Sequence, residues 1–353
     1  MKNTLMTYSF LVLAAGFLFA PGNLVQAQQP DSLWTRTFGG NLTDELNSVA
    51  LTTDGGLVLA GRTFSFAEGA SDAWLVRTDE HGEMLWTRTY GEDAPVHEGA
   101  QSVAQTADGG FIMVGSVSSA TSAALLIRTD PSGDELWHKT FGGFDTDFGA
   151  DVVEMPDGNF VMVGTTRSHH MGFGSSIWLI GTDASGEMLW SKVYGGSSYQ
   201  EGNAISVTSD GGLIVTGSYN NGGSQSADIW LLRTDSVGDT LWTKTFGGEG
   251  TQTGYSVLQT PDGGFAAVAS YWDGGSWITL IRTDENGDEL WSKTFEGSLQ
   301  GSQALDATSD GGFIITGSKG DDLHLIRTDD DGEVLWTSSY GDDQGNQGNA
   351  VLQ

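Results

Sequence analysis

Ten residues before the aspartate of each "DGG" or "DGN" stands an acid or an amide: Asp44, Glu98, Asp147, Gln200, Gln252 and Gln300. Asn346 holds the equivalent place near the end of the chain. If those positions share one mouth of a ring, their oxygens could hold calcium or a polar ligand. The competing reading is local: each side chain accepts backbone N–H groups and closes its own loop. A second group carries aromatic rings beside carboxylates. Tyr271 and Trp272 adjoin Asp273 in "YWDGGS", and Tyr199 lies two residues before Glu201. A flat ring beside an acid suits a sugar, whose C–H face stacks while its hydroxyls donate. The same rings could instead pack over a sheet edge. His169 and His170, beside Met171 and Phe173, are expected to contact a ligand rather than a metal. Adjacent residues of an extended loop point apart, and no other His stands at ligand spacing.

Other chemistry is absent from the sequence. "DENGD" (284–288) starts like a calcium loop, but positions six and twelve are Glu289 and Phe295 instead of Gly and Glu. There is no HExxH, no GxSxG elbow and no phosphate loop. Cys is absent, which rules out disulfides and thiolate metal sites. The formal net charge is -31, from 46 acidic and 15 basic residues, so nucleic acid is an improbable partner.

The elements that position these residues are repeats. Leu-Trp recurs with Trp34, Trp86, Trp137, Trp190, Trp242, Trp291 and Trp336, about every 50 residues. From Trp86 onward an Asp stands seven residues earlier, and a Gly follows that Asp by three, as in Asp284 and Gly287. Each repeat reads as four short strands. In the fifth these are 241–247, 254–260, 263–270 and 276–284, rich in β-branched and aromatic residues, with Gly-bearing turns between them. No stretch keeps a helical period. Asp284 is expected to close an Asx-type turn and Gly287 to take positive φ. Four-stranded units at this period predict an all-β propeller, with the Trp side chains packed between blades.

The unit from "GDTLWTKTFGG" through "TDENGDELW" resembles propeller repeats of secreted bacterial proteins. These belong near the quinoprotein-dehydrogenase-like superfamily, whose tryptophan motif "TDxxGxxLW" resembles, one residue shorter. The resemblance implies either a non-catalytic scaffold or a dehydrogenase using pyrroloquinoline quinone with calcium. With no Cys, the vicinal disulfide expected over that cofactor cannot form.

In related propellers the repeat is offset from the blade. The Leu-Trp strand would then be outermost, and the strand before "DGG" would line the channel. The two tight turns then share one face. The variable loops, including 64–71, 144–149, 167–175, 197–202 and 271–276, share the other and carry recognition. Residues 1–27 read as a signal peptide: Lys2, an apolar run from Phe10 to Ala20, and small residues before Gln28. No other run is long enough to cross a membrane. Residues 28–353 form one propeller domain. "GNQGNAVLQ" (345–353) matches the start of an innermost strand, so the domain is expected to be cut short at its C-terminus. The expected architecture is six full repeats plus a seventh blade split between the termini, with a six-bladed ring as the alternative. The expected function is a secreted, monomeric, non-catalytic propeller that binds a glycan or protein at the cell surface or outside. A periplasmic location is the alternative. No cofactor is required, and calcium is the one the acid and amide ring would suit. The alternatives are a carbohydrate-active hydrolase, a quinoprotein-like oxidoreductase, or a repeat module of a larger adhesin.

Overall fold

The computed structural model describes residues 34–92, 95–169, 174–196, 198–220, 227–248, 250–299, 301, 303–341 and 348–353. The candidates Gln300, Asn346 and His170, like the predicted signal peptide, lie outside them.

Each blade is one antiparallel four-stranded sheet with its strands in chain order, so the Leu-Trp strand of a repeat closes the blade before the one its other three strands build. Blade one is β1 (Asp44–Leu51), β2 (Leu57–Thr63), β3 (Asp72–Thr78) and β4 (Met84–Tyr90). Blade two is β5 (His97–Gln105), β6 (Phe111–Ser118), β7 (Ser122–Thr129) and β8 (Glu135–Phe141). Blade three is β9 (Asp147–Glu154), β10 (Phe160–Thr166), β11 (Ser176–Thr182) and β12 (Met188–Tyr194). Blade four is β13 (Gln200–Val207), β14 (Leu213–Tyr219), β15 (Asp228–Thr234) and β16 (Thr240–Phe246). Blade five is β17 (Thr251–Gln259), β18 (Phe265–Trp272), β19 (Ser276–Thr283) and β20 (Glu289–Glu296). Blade six is β21 (Leu305–Ala307), β22 (Phe313–Lys319), β23 (Asp322–Thr328) and β24 (Val334–Tyr340).

The first strands of adjacent blades meet one another, so they surround the axis and the Leu-Trp strands lie outermost. Burial follows from this placement. The third strands are buried on both faces, and β3 (DAWLVRT) is buried throughout. The outermost strands alternate: in β16 Trp242, Lys244 and Phe246 are half-buried, while Leu241, Thr243 and Thr245 are exposed. Trp242 meets Phe265 of blade five edge-on, with ring centroids 5.6 Å apart. Trp86 and Trp291 meet Phe111 and Phe313 of their next blades in the same way.

Both tight turns follow the predicted chemistry. Asp284 Oδ1 accepts the amides of Asn286 (2.9 Å) and Asp288 (2.8 Å), and Gly287 adopts φ 77°. Its missing Cβ would lie 2.7 Å from the Trp242 ring, so the position needs Gly for space as well as for φ.

Among the described residues the ring contains six four-stranded blades. Residues 34–40 and 351–353 form no strand, and Ala350 makes only a single parallel bridge with Gln303. The expected split seventh blade is therefore not present as a sheet. The physical reason is that, among the described residues, no second or third strand lies between these two segments to give them a ladder.

Candidate functional site

The five described acid and amide positions, Asp44, Glu98, Asp147, Gln200 and Gln252, come to one end of the ring, each at the first or second residue of an innermost strand. The side chains of Asp44, Asp147 and Gln200 turn back to bond their own loops. Asp44 Oδ1 accepts from Thr63 Oγ1 and the Ser65 amide, while Oδ2 accepts from Ser65 Oγ (2.6 Å) and the Gly40 amide (2.8 Å). Asp147 repeats the pattern with Thr166, Ser168 and the Gly143 amide. Burial alone would raise both carboxyls. Hydroxyls and amides outweigh it, leaving each below the ordinary aspartate value. Gln200 Oε1 accepts the Gly196 amide, and its Nε2 donates to Asn220 O. Glu98 and Gln252 are buried at the matching positions. Burial, and then the Asp72 charge, raises Glu98. Among the described residues, no group of three metal-ligating side chains forms.

The loops prove more exposed. By the order of the strands, the second-to-third loops and the blade-to-blade connections share one face. Hydrogen bonds tie the two sets together: Glu98 N to Ser71 O (2.8 Å), Gln200 N to Ser175 O (3.0 Å) and Gln252 N to Ala227 O (2.7 Å). The aromatic side chains exposed among the described residues are Phe66, Phe144, Tyr199 and Trp272, and all four lie in these loops or at their edges. Trp272 is 61% exposed. Beside it, Asp273 Oδ1 accepts from Trp277 Nε1 (3.0 Å) and Oδ2 from Tyr271 OH (3.1 Å). Those bonds hold Asp273 below its ordinary value: the Trp277 indole leads and outweighs burial. The result is an anionic group fixed by Tyr271 and Trp277, one residue along the chain from the open Trp272 indole. Glu201 is exposed on β13, two residues from Tyr199. His169 is exposed, with its ring 5.1 Å from Trp178, outside the Tyr271–Asp273 group.

Two arrangements escaped the sequence reading. First, the "DGG" aspartate is more than a turn residue. Asp54, Asp108, Asp210, Asp262 and Asp310 each take an ion pair from a buried arginine: Arg77, Arg128, Arg233, Arg282 and Arg327. Each arginine also donates to backbone carbonyls, as Arg128 Nη1 does to Phe111 O (3.2 Å), and so joins both tight turns of its blade. The signal was the recurring "RTD", with Gly181 in the third repeat, where "DGN" replaces "DGG". Second, Asp151 is buried where other repeats carry Ser48, Ser102, Ala204 and Ser256. It accepts from Ser102 Oγ of blade two (2.6 Å) and the Ile205 amide of blade four (3.0 Å). Burial pushes its carboxyl up to about 6.

No protein-family model matches the chain, and no curated protein matches it in sequence. Solved structures share its fold. A periplasmic gluconolactonase of Pseudomonas aeruginosa superposes with a TM-score of 0.59 at 11% identity, covering 92% of each chain. A protein from Lactobacillus plantarum gives 0.55 at 10% identity over 88% of each chain. A puromycin hydrolase gives 0.53 at 14% identity, over 86% of this chain and 48% of its own. At these identities the likeness establishes a shared propeller fold.

Proposed function

We propose that this chain is an exported, non-catalytic propeller that binds a glycan through its variable-loop face, with an extracellular protein as the alternative ligand. The observation that carries the reading is that, among the described residues, the exposed aromatics are confined to that face, with Trp272 open and the neighbouring Asp273 carboxylate fixed by Tyr271 and Trp277. Trp offers a broad apolar plate at low entropic cost, and a carboxylate accepts sugar hydroxyls. Export rests on the signal-peptide pattern of residues 1–27. A glycan array probed with the mature chain tests the reading. Binding that falls about tenfold or more in Trp272→Ala supports it, because such a loss matches one stacking contact. Binding that survives Trp272→Ala unchanged contradicts it.

A hydrolase is the second reading, favoured by neighbours described as a gluconolactonase and a puromycin hydrolase. Release of sugar acid from lactones, or of reducing ends from polysaccharide, would support it.

A further inference from the structure

We propose that the junction between blades six and one takes up a two-stranded β-hairpin carrying the second- and third-strand pattern of the repeat, completing a seventh blade around the two terminal segments. This inference concerns ring closure and stands apart from the glycan reading.

The junction differs from the other five. Each of those is sealed by an apolar cluster shared between neighbouring blades. Blade one's remaining face (Leu46, Val49, Leu59, Trp74, Val76) instead gathers Phe38, Ala350 and Leu352. Blade six's remaining face (Leu323, Leu325, Trp336) gathers Val351. The two blade faces share no cluster with each other among the described residues.

The terminal segments make the contacts of a blade's first and last strands. A Cβ on Gly348 would lie 2.1 Å from Thr316 Oγ1, as one on Gly254 of innermost β17 would lie 2.1 Å from Thr216 Oγ1. Asn349 Nδ2 donates to Leu46 O (3.2 Å), as innermost Asn47 and Asn203 donate to Ala100 O and Gly254 O. At the rim, the Trp34 ring covers Gly82 as the Trp86 ring covers Gly133. Arg36 pairs with Glu83 just as Lys244 of outermost β16 pairs with Asp288 of the next blade.

Among the described residues no middle strands accompany these two segments. Trp336 occupies the position from which Trp86, Trp242 and Trp291 reach a Phe at the start of the next blade's second strand, yet it meets no such ring among the described residues. Its Nε1 and Ser338 Oγ are buried without a hydrogen-bond partner there. Ser338 also replaces the cation that Lys293 and Lys244 send to the next blade's third-to-fourth turn. A seventh blade whose outermost strand comes from residues 34–38 would have no such turn, so no cation is needed. What fits is two strands joined by a loop, with a leading Phe for Trp336 and apolar residues facing both neighbours.

The test appends a copy of residues 260–284 after Gln353 on the mature chain, beside a control carrying the same residues scrambled. Seven complete blades should raise the apparent Tm over the control by on the order of 5 °C, the scale of a few kcal/mol in a domain this large. Amide exchange across 348–353 should slow about tenfold. Trp336→Ala should abolish the gain measured against its own scrambled partner. Equal Tm and equal exchange for copy and control would overturn the proposal, as would a gain indifferent to Trp336→Ala. If that variant fails to fold, the comparison of copy with control decides alone.

Discussion

Asp151 is where a single side chain has the most leverage on pH response. Its folded carboxyl titrates near 6 and its unfolded one near 3.8, because burial penalises the anion more than its three hydrogen-bond donors repay it. Between those values the native state holds a proton that the unfolded chain has lost. Stability from this group is therefore full below about pH 4 and falls as pH rises through 6, by up to roughly 3 kcal/mol. Asp151→Asn should flatten that part of the stability curve in urea titrations at pH 4, 5, 6 and 7; an unchanged slope would contradict the assignment. The arginine clamps act in the opposite sense. Removing Arg233 would leave Asp210 without its cation and the carbonyls of Leu213 and Thr234 without a donor. Arg233→Met, which keeps the apolar stem, should cost about 1–2 kcal/mol, because Asp210 stays in water and the loss is mainly of donors to the carbonyls, read as a lower urea midpoint. An effect below about 0.5 kcal/mol would show that the clamp contributes little. The "DGG" aspartate was legible only as turn chemistry. Its arginine lies about twenty residues away in sequence, and only the hairpin geometry brings the two together.

Strands and tight turns were legible to within about three residues, because the two-residue period and the Asp/Gly turn chemistry agree within every repeat. In the fifth, the expected 241–247 and 276–284 became β16 (Thr240–Phe246) and β19 (Ser276–Thr283). The turns should also be sensitive to mutation. Gly287→Ala meets both a positive φ and the Trp242 ring, so it should destabilise by about 1–3 kcal/mol. Gly263→Ala has positive φ but open space around it, so it should cost less. Equal costs for the two would show that the Trp packing over Gly287 is unimportant. The inner-strand acids and amides were harder to read. Their position at one end of the ring was visible, but the direction of each side chain depends on partners such as Thr63 and Ser65, some twenty residues downstream.

Across the whole molecule, electrostatics and surface shape pull on different properties. Rim ion pairs link successive blades, as Lys139–Glu187 and Lys192–Asp239 do, but exposed pairs contribute at most about 1 kcal/mol each and weaken with salt. A net charge of -31 repels itself over the whole surface. Self-repulsion is the larger effect, so the thermal midpoint should rise between about 0.01 and 0.5 M NaCl; a fall would mean that the rim pairs dominate. Blade number was the least legible feature, since it depends on how two short terminal segments meet rather than on any pattern within a repeat. The recognition face was legible in outline: variable loops could be told from constant turns, but which rings stay open could not. That face carries the central claim, and a paired comparison tests it most directly. Binding of a glycan found on the array should be measured calorimetrically for Tyr199→Ala and Trp272→Ala on the variable face, and for Val237→Ala in an exposed tight turn. The account predicts about tenfold weaker binding for Trp272→Ala and no change for Val237→Ala; unchanged affinity in Trp272→Ala, or loss only at Val237, would contradict it.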